Sequence, residues 1–452
     1  MLFHTPMSLS LWLGARAKQV LKHEAPLIVA VTGTVGKSST KQAIAAMLNA
    51  DEPGSRTHVS KKNYNNELGV PLTILGMDAP GRSLVAWIKL CWRAWFLSIG
   101  LQKTGIRTFV LEMGADRPGD LAYLTSIAKP TIAVITAVTP EETSLAPSHT
   151  ANYPSIDALA EEKATLLKAL SDGGVAVLNA DDKRVFSMRH QTSAHVLTFG
   201  EADGTDVRIV QTKIRMEEVG GYAFPVGLEV TLECLNQQRS IFVPNVFGRP
   251  MAYAVAAATA VAIALDVHLD ALLRLPGSLH ALPGRTRLVP GIKNTMLLDD
   301  TYNASPAAVL SALRDLAAME IHPGQRRIVC LGEMRELGST AEQAHQRIGV
   351  EAARLRIDML VVCGTLAHAI AEGARAAGMT DDHIKIFADT PEAGLFLQQE
   401  IRSGDLILAK ASEGLHDSKG VRMERVIKEL MAEPLRAKDL LVRQEEVWQT
   451  RR

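Results

Sequence analysis

Short, continuous apolar runs alternate with stretches of helical period along most of this chain. The first run, Leu27-Ile28-Val29-Ala30-Val31, is followed by glycines and predicts a buried strand. Alanine and leucine then recur on a helical period from Ser38 to Leu48, so strand, glycine turn and helix follow one another as at the opening of an α/β domain. Further strands are predicted at Thr108 to Glu112, Thr131 to Thr136 and Val175 to Asn179, with helical stretches between them that favour a parallel sheet. Residues 8 to 22 read as a helix ahead of the first strand.

Over residues 205 to 244 alternation replaces helical period, which predicts an antiparallel appendage. An alanine-rich helix follows (Ala252 to Ala264), and Pro283-Gly284 marks a boundary. The α/β pattern then starts again. It has strands at Thr295 to Asp299, Arg327 to Leu331, Met359 to Cys363 and Leu406 to Lys410, and helices at Pro306 to Ala318 and Ala341 to Leu355, the pattern of a second, Rossmann-like domain. The expected division is an N-terminal helical segment (1–25), a central domain (26–283) and a C-terminal domain (284–452).

Composition narrows the class. A chain of 452 residues is too long for one ordinary core, and 47% apolar against 22% charged residues is the balance of a globular protein. Lysine plus arginine equals aspartate plus glutamate at 49 each, so no long-range field favours nucleic acid and an anionic ligand must be held locally. The four cysteines form no CxxC pair, which points to reduced thiols and a cytoplasmic location. The N-terminus lacks the positive charges that precede a signal-peptide core. Residues 84 to 100 (LVAWIKLCWRAWFLSIG) are the most membrane-like, yet Lys89 and Arg93 fall near the middle of a span already short for a bilayer. A helix packed on the domain is the expectation, and an interfacial helix with tryptophans at the lipid boundary is the alternative.

The strongest chemical signal is Thr32-Gly33-Thr34-Val35-Gly36-Lys37-Ser38-Ser39-Thr40, set between the first strand and its helix. Glycines there let backbone N–H groups turn inward around phosphate oxygens, and the helix N-terminus adds its positive dipole end. Lys37 suits the β and γ phosphates, and the Ser38 hydroxyl suits magnesium. The general GxxxxGK[ST] pattern asks for glycine where this chain has Val31.

The shortened form T-G-T-x-G-K-S-S resembles the ATP loop of the Mur ligase family. The run Asn63-Tyr64-Asn65-Asn66-Glu67-Leu68-Gly69-Val70-Pro71 is similar to an asparagine-rich segment of that family, which places Asn66 among the catalytic candidates. Leu111-Glu112-Met113-Gly114-Ala115 resembles the family's strand end whose glutamate binds magnesium, and Lys163 matches a lysine that some members carry as a carbamate. Pro283-Gly284-Arg285 and Asp299-Asp300-Thr301-Tyr302-Asn303 resemble the start of the family's C-terminal domain. There the resemblance implies nucleotide contacts for Arg285, Asp300 and Asn303. Leu331-Gly332-Glu333-Met334-Arg335 is also similar to a family segment.

Three departures stand out. Only about thirty residues precede Val31, too few for the N-terminal domain that grips a UDP-sugar in the family, so the donor is expected to be bound differently or to differ chemically. Counting from Thr136 puts Glu142 where the family has a magnesium-binding histidine, and a carboxylate is a suitable replacement. Gly248 to Ala254 lacks the asparagines expected near adenine, and Lys410-Ala411-Ser412-Glu413-Gly414 departs from a Lys-Gly-Ser-Arg-like pattern.

The resemblance implies a central P-loop ATPase domain followed by a Rossmann-like ligase domain, with ATP and Mg2+ as cofactors. The implied reaction is amide formation through an acyl phosphate. It would join a dipeptide acceptor, D-alanyl-D-alanine, to a nucleotide-sugar peptide donor, UDP-MurNAc-tripeptide. A monomer is expected. Another acidic donor, of polyglutamate or cell-wall amidation type, and a non-catalytic nucleotide-binding role are the alternatives.

Overall fold

The structure, a computed structural model, describes residues 7–448 apart from 53, 55, 61–63, 82, 139–151, 336, 414–420 and 446–447. Its first sheet contains β1 (Leu27–Thr32), β2 (Thr57–Val59), β3 (Thr108–Glu112), β4 (Ile132–Ile135), β5 (Val175–Asn179), β6 (His195–Gly200), β7 (Val207–Val219), β8 (Tyr222–Cys234) and β9 (Gln237–Pro244). They lie in the order β2-β3-β1-β4-β5-β6-β7-β8-β9. Strands β1 to β6 are parallel; α1 (Met7–Glu24) precedes β1, and the crossovers between strands include α2 (Lys37–Asp51), α3 (Gly69–Ile74), α4 (Leu84–Ser98), α5 (Asp120–Ile127) and α6 (Ile156–Lys168).

Period-two alternation sends β1 side chains to two separate cores. Val29 and Val31 meet Ile44 and Met47 of α2 and the helix Arg249–Ala264. Small alanines on both helices let them pack closely across this face. Ile28 and Ala30 face the other way, toward Leu13, Leu90, Leu124 and Leu166 of α1, α4, α5 and α6. With both faces covered, the strands read as unbroken apolar runs, which is why they were legible.

The alternating segment corrects one expectation. Strands β7 to β9 are antiparallel to one another, but β7 pairs parallel with β6 through Phe199 and Val207, so they extend the main sheet instead of forming an appendage. Phe224 of β8 and Phe247 enter the core of the C-terminal half. The side chain of Gln325 stitches the same contact, accepting from Ala223 N at 2.9 Å and donating to the Ala223 and Gly404 carbonyls.

The second sheet has six strands, β10 (Arg287–Gly291), β11 (Thr295–Asp299), β12 (Arg327–Leu331), β13 (Met359–Cys363), β14 (Ile384–Phe387) and β15 (Leu406–Lys410). Their order is β10-β11-β15-β12-β13-β14, parallel except for β10. Helices cover both faces, Pro306–Ala317, Ala341–Arg354 and His368–Ala376 on one and Thr390–Glu400 and Glu424–Leu430 on the other. No described helix is long and apolar enough to cross a membrane.

Candidate active site

Strand β1 lies between β3 and β4, with Val31 level with Glu112 and Thr32 level with Ile135. The chain leaves β1 for one side of the sheet and returns to the other, so a crevice opens at the carboxyl ends of these strands. Three loops meet there, residues 33–36 after β1, 113–115 after β3 and 136–138 after β4.

The turn after β1 is built around two glycines. Gly33 has φ +150°, and a Cβ on it would lie 2.0 Å from Thr136 Oγ1. Gly36 has φ +86° and caps α2 in the left-handed region. Thr136 Oγ1 donates to the Val35 carbonyl at 2.6 Å, while Thr34 donates through N to Ala137 O at 2.7 Å and through Oγ1 to Val138 O at 2.8 Å. Thr32 is fully buried and Ser39 half-buried. The loop is thereby fixed from outside, and Lys37 spans it from within, its Nζ donating to Gly33 O at 2.6 Å.

Glu112 is the carboxylate of the crevice. Its Oε2 accepts from Ser38 Oγ at 2.9 Å and pairs with Lys41 Nζ at 3.1 Å, and its Oε1 accepts from Asn65 Nδ2 at 3.5 Å. Burial alone would raise its pKa, but Lys41, Lys37 and Arg285, with the Ser38 hydrogen bond, hold the carboxyl below its ordinary value. Burial lowers the pKa of both lysines, against the pull of Glu112.

Lys163 reaches the same crevice from α6, which Ser155 caps by accepting from Ala158 N at 3.0 Å. Its side chain faces inward and the residue is 3% exposed. Burial, with help from Lys37 and against Asp116 and Glu162, pushes its amine down to about 7. The adjacent Glu162 has a different task, accepting from Gly119 N and Leu121 N at the start of α5.

The C-terminal half contributes Arg285, whose charge acts on Lys37, Lys41 and Glu112. Its guanidinium lies 4.0 Å from the centroid of the Tyr302 ring. Gly284 makes that stacking possible, with φ +68° and a Cβ position 2.9 Å from Tyr302 N. Asp300 and Asn303 occupy a second corner. Asp300 forms a partly buried ion pair with Lys410 and accepts from Thr286 N at 3.1 Å, while Asn303 accepts from Ala304 N through its side chain and from Lys410 through its carbonyl.

Lys37, Ser38 and Glu112 are thus brought together, with Lys163 and Arg285 around them. Asn66 is placed differently. Its Oδ1 accepts from Leu68 N and Gly69 N and starts α3, while its neighbour Asn65 faces Glu112. Glu142 lies outside the described residues. Sequence reasoning missed Lys41, although it sits one helical turn after Lys37 on the same face of α2, and it missed the Thr136 hydroxyl that the close approach at Gly33 demands.

Residues 31–88 and 95–262 match the family model of the Mur ligase middle domain, and residues 284–413 match that of the Mur ligase glutamate ligase domain. The UDP-N-acetylmuramoyl-tripeptide–D-alanyl-D-alanine ligase of Mycobacterium tuberculosis is 31% identical over 411 residues, which cover 85% of this chain and 70% of that one. The Bacillus subtilis protein of the same name is 27% identical over 419 residues, covering 93% and 79%. The fold is shared with a MurF ligase from Thermotoga maritima solved in complex with ADP, at a TM-score of 0.71 and 24% identity over 93% of this chain and 83% of that one. Fold and site define an ATP-dependent ligase. The chain belongs to the Mur ligase family.

Proposed function

We propose that this ligase joins D-alanyl-D-alanine to UDP-N-acetylmuramoyl-tripeptide in the cytoplasm, making a peptidoglycan precursor. The relatives at 27–31% identity are named for that reaction, and the four cysteines, all free, suit a reducing compartment. The observation that carries the reading is the grouping of Lys37, Ser38 and Glu112 around a glycine turn at the carboxyl ends of β1 and β3.

A carboxylate does not condense with an amine unaided because oxide is a poor leaving group. ATP with magnesium, when bound, supplies the phosphoryl group that converts the donor carboxylate to an acyl phosphate, from which the acceptor amine displaces phosphate. The residues present fit both groups. Ser38 Oγ and the Glu112 carboxylate are adjacent hard oxygen donors of the kind Mg2+ takes. Mg2+ commonly completes such a shell with phosphate oxygens and water.

The chain's own work is positioning and charge. Backbone N–H groups of residues 35–38, at the end of the turn and the start of α2, hold phosphate oxygens, while that of Thr34 is held by Ala137 O. Lys37 turns from Gly33 O to the β and γ phosphates, and Arg285 brings a second positive charge from the C-terminal half. Lys163, with an amine near 7, is neutral in a large fraction at working pH. Its lone pair can add to the carbon of CO2 with release of a proton, leaving a carbamate beside Lys37. Phosphate release from ATP is the test, measured with donor and acceptor together and with each omitted. Release that requires both supports the reading, and release that ignores D-alanyl-D-alanine overturns it.

A further inference from the structure

Helix α4 buries one face and presents the other bare. Leu90, Ala94 and Leu97 pack inward, and α1 lies alongside. At about 100° per residue, the opposite side gathers Leu84, Val85, Ile88, Trp92, Trp95 and Ile99 into an arc of about 100°. Their exposures run from 41% to 79%. A surface helix normally turns its charges to water, and here large apolar side chains stand in their place.

The charges that border this arc are of one sign. Lys89 and Arg93, both exposed, lie beyond one edge of it, and α4 contains no acidic residue. Just past its C-terminus an open depression is lined by Arg93, Phe96, Leu97, Gln102 and Lys103. The neighbouring α1 exposes Leu11, Lys18 and Lys22 and has no acidic residue before Glu24.

We infer that α4 docks this chain on an anionic lipid surface, with Leu84, Ile88, Trp92 and Trp95 at the acyl boundary and Lys89, Arg93 and Lys103 against headgroup phosphates. Tryptophan favours that boundary because its ring is apolar and its N–H polar. Each basic residue near an anionic leaflet adds attraction. A helix of 15 residues is about 22 Å long, short of a bilayer core of roughly 30 Å, so it lies in the surface plane. Charge argues against a second copy as the occupant, because a two-fold pairing of these faces would set basic borders together with no acid on either helix to answer them. This docking does not depend on the ligase reading, since α4 contributes no residue to the crevice around Glu112.

Flotation of the full chain with vesicles is the test, using phosphatidylcholine alone and phosphatidylcholine mixed with phosphatidylglycerol. The chain should bind the anionic vesicles, with a blue-shifted tryptophan emission, and release them as salt is raised. Ile88→Ser with Trp92→Ser should weaken binding roughly tenfold or more while circular dichroism and ATP hydrolysis stay unchanged. Lys89→Glu with Arg93→Glu should abolish the preference for anionic vesicles. Three results would overturn the inference. They are a wild-type chain that stays unbound to anionic vesicles, a serine variant that binds as well as wild type, and a dimer in sedimentation that the serine substitutions dissolve while vesicle binding is absent.

Discussion

Lys41 Nζ stands 3.1 Å from Glu112 Oε2, and both side chains are more than nine-tenths buried. The acceptor oxygen is the same one that Ser38 reaches, so the lysine's positive charge sits where a divalent cation shared by Ser38 and Glu112 would also act. Breaking one side of a buried pair leaves the other uncompensated.

Lys41→Met is therefore expected to destabilise the fold by about 3 kcal/mol in urea denaturation, and Lys41→Met with Glu112→Gln by clearly less than the sum of the two single changes. The pH dependence follows from the lowered carboxyl of Glu112. Its contribution is present above the ordinary carboxylate pKa and is lost as pH falls through the lower folded value, so acid unfolding of the glutamine variant should be less steep. Simple additivity in the double variant would contradict the pairing.

Lys163 gives a prediction in the neutral range. Its amine is held near 7, below the ordinary lysine value, so the stability it contributes is present above the unfolded pKa and lost as pH falls through about 7. Carbamate formation needs the neutral amine. A carbamate signal should therefore appear by NMR in 13C-bicarbonate at pH 8, fade by pH 6 and be missing from Lys163→Met. A signal in wild type that is unchanged at pH 6 would count against the assignment.

Asp315 lies on the helix Pro306–Ala317, with Oδ2 buried and without a hydrogen-bond partner. Burial, against Arg249 and with Asp300, raises its pKa to about 7. The group favours folding fully below the unfolded pKa and loses that contribution as pH rises through about 7. Asp315→Asn should raise the melting temperature at pH 8 and flatten its slope between pH 4 and 7. A lower melting temperature at pH 8 would show that the charged carboxylate is satisfied there.

Gly33→Ala should cost more than an ordinary loop substitution, because the added methyl meets Thr136 Oγ1 and the backbone is positive in φ. The expected result is at least about a hundredfold loss of phosphate release with secondary structure intact, since the donors that surround the phosphates are displaced. Near-normal turnover would mean that the loop does not hold the nucleotide in this form.

Much of this site was legible because its chemistry is local. The glycine turn, Lys37 and Ser38 are consecutive, and Glu112 closes an apolar run whose period revealed the strand. What escaped depends on contacts distant in sequence. Thr136 and Gly33 meet only when β1 and β4 lie side by side, and Asn65 rather than Asn66 faces Glu112 because the Asn66 side chain is taken up by the Leu68 and Gly69 N–H groups. Strands β6 and β14 were missed because polar positions (His195 and Thr198, Lys385) interrupt their apolar runs, and β7 to β9 looked separate because alternation reveals a half-exposed strand and nothing about its neighbour.

Titration calorimetry with a non-hydrolysable ATP analogue and magnesium tests the central claim most directly, comparing the wild-type chain with Lys37→Ala. Saturable binding at one site in the wild type, with a large loss of affinity in a folded Lys37→Ala, is the predicted result. Absence of binding to the wild type, or equal affinity in both proteins, would contradict it.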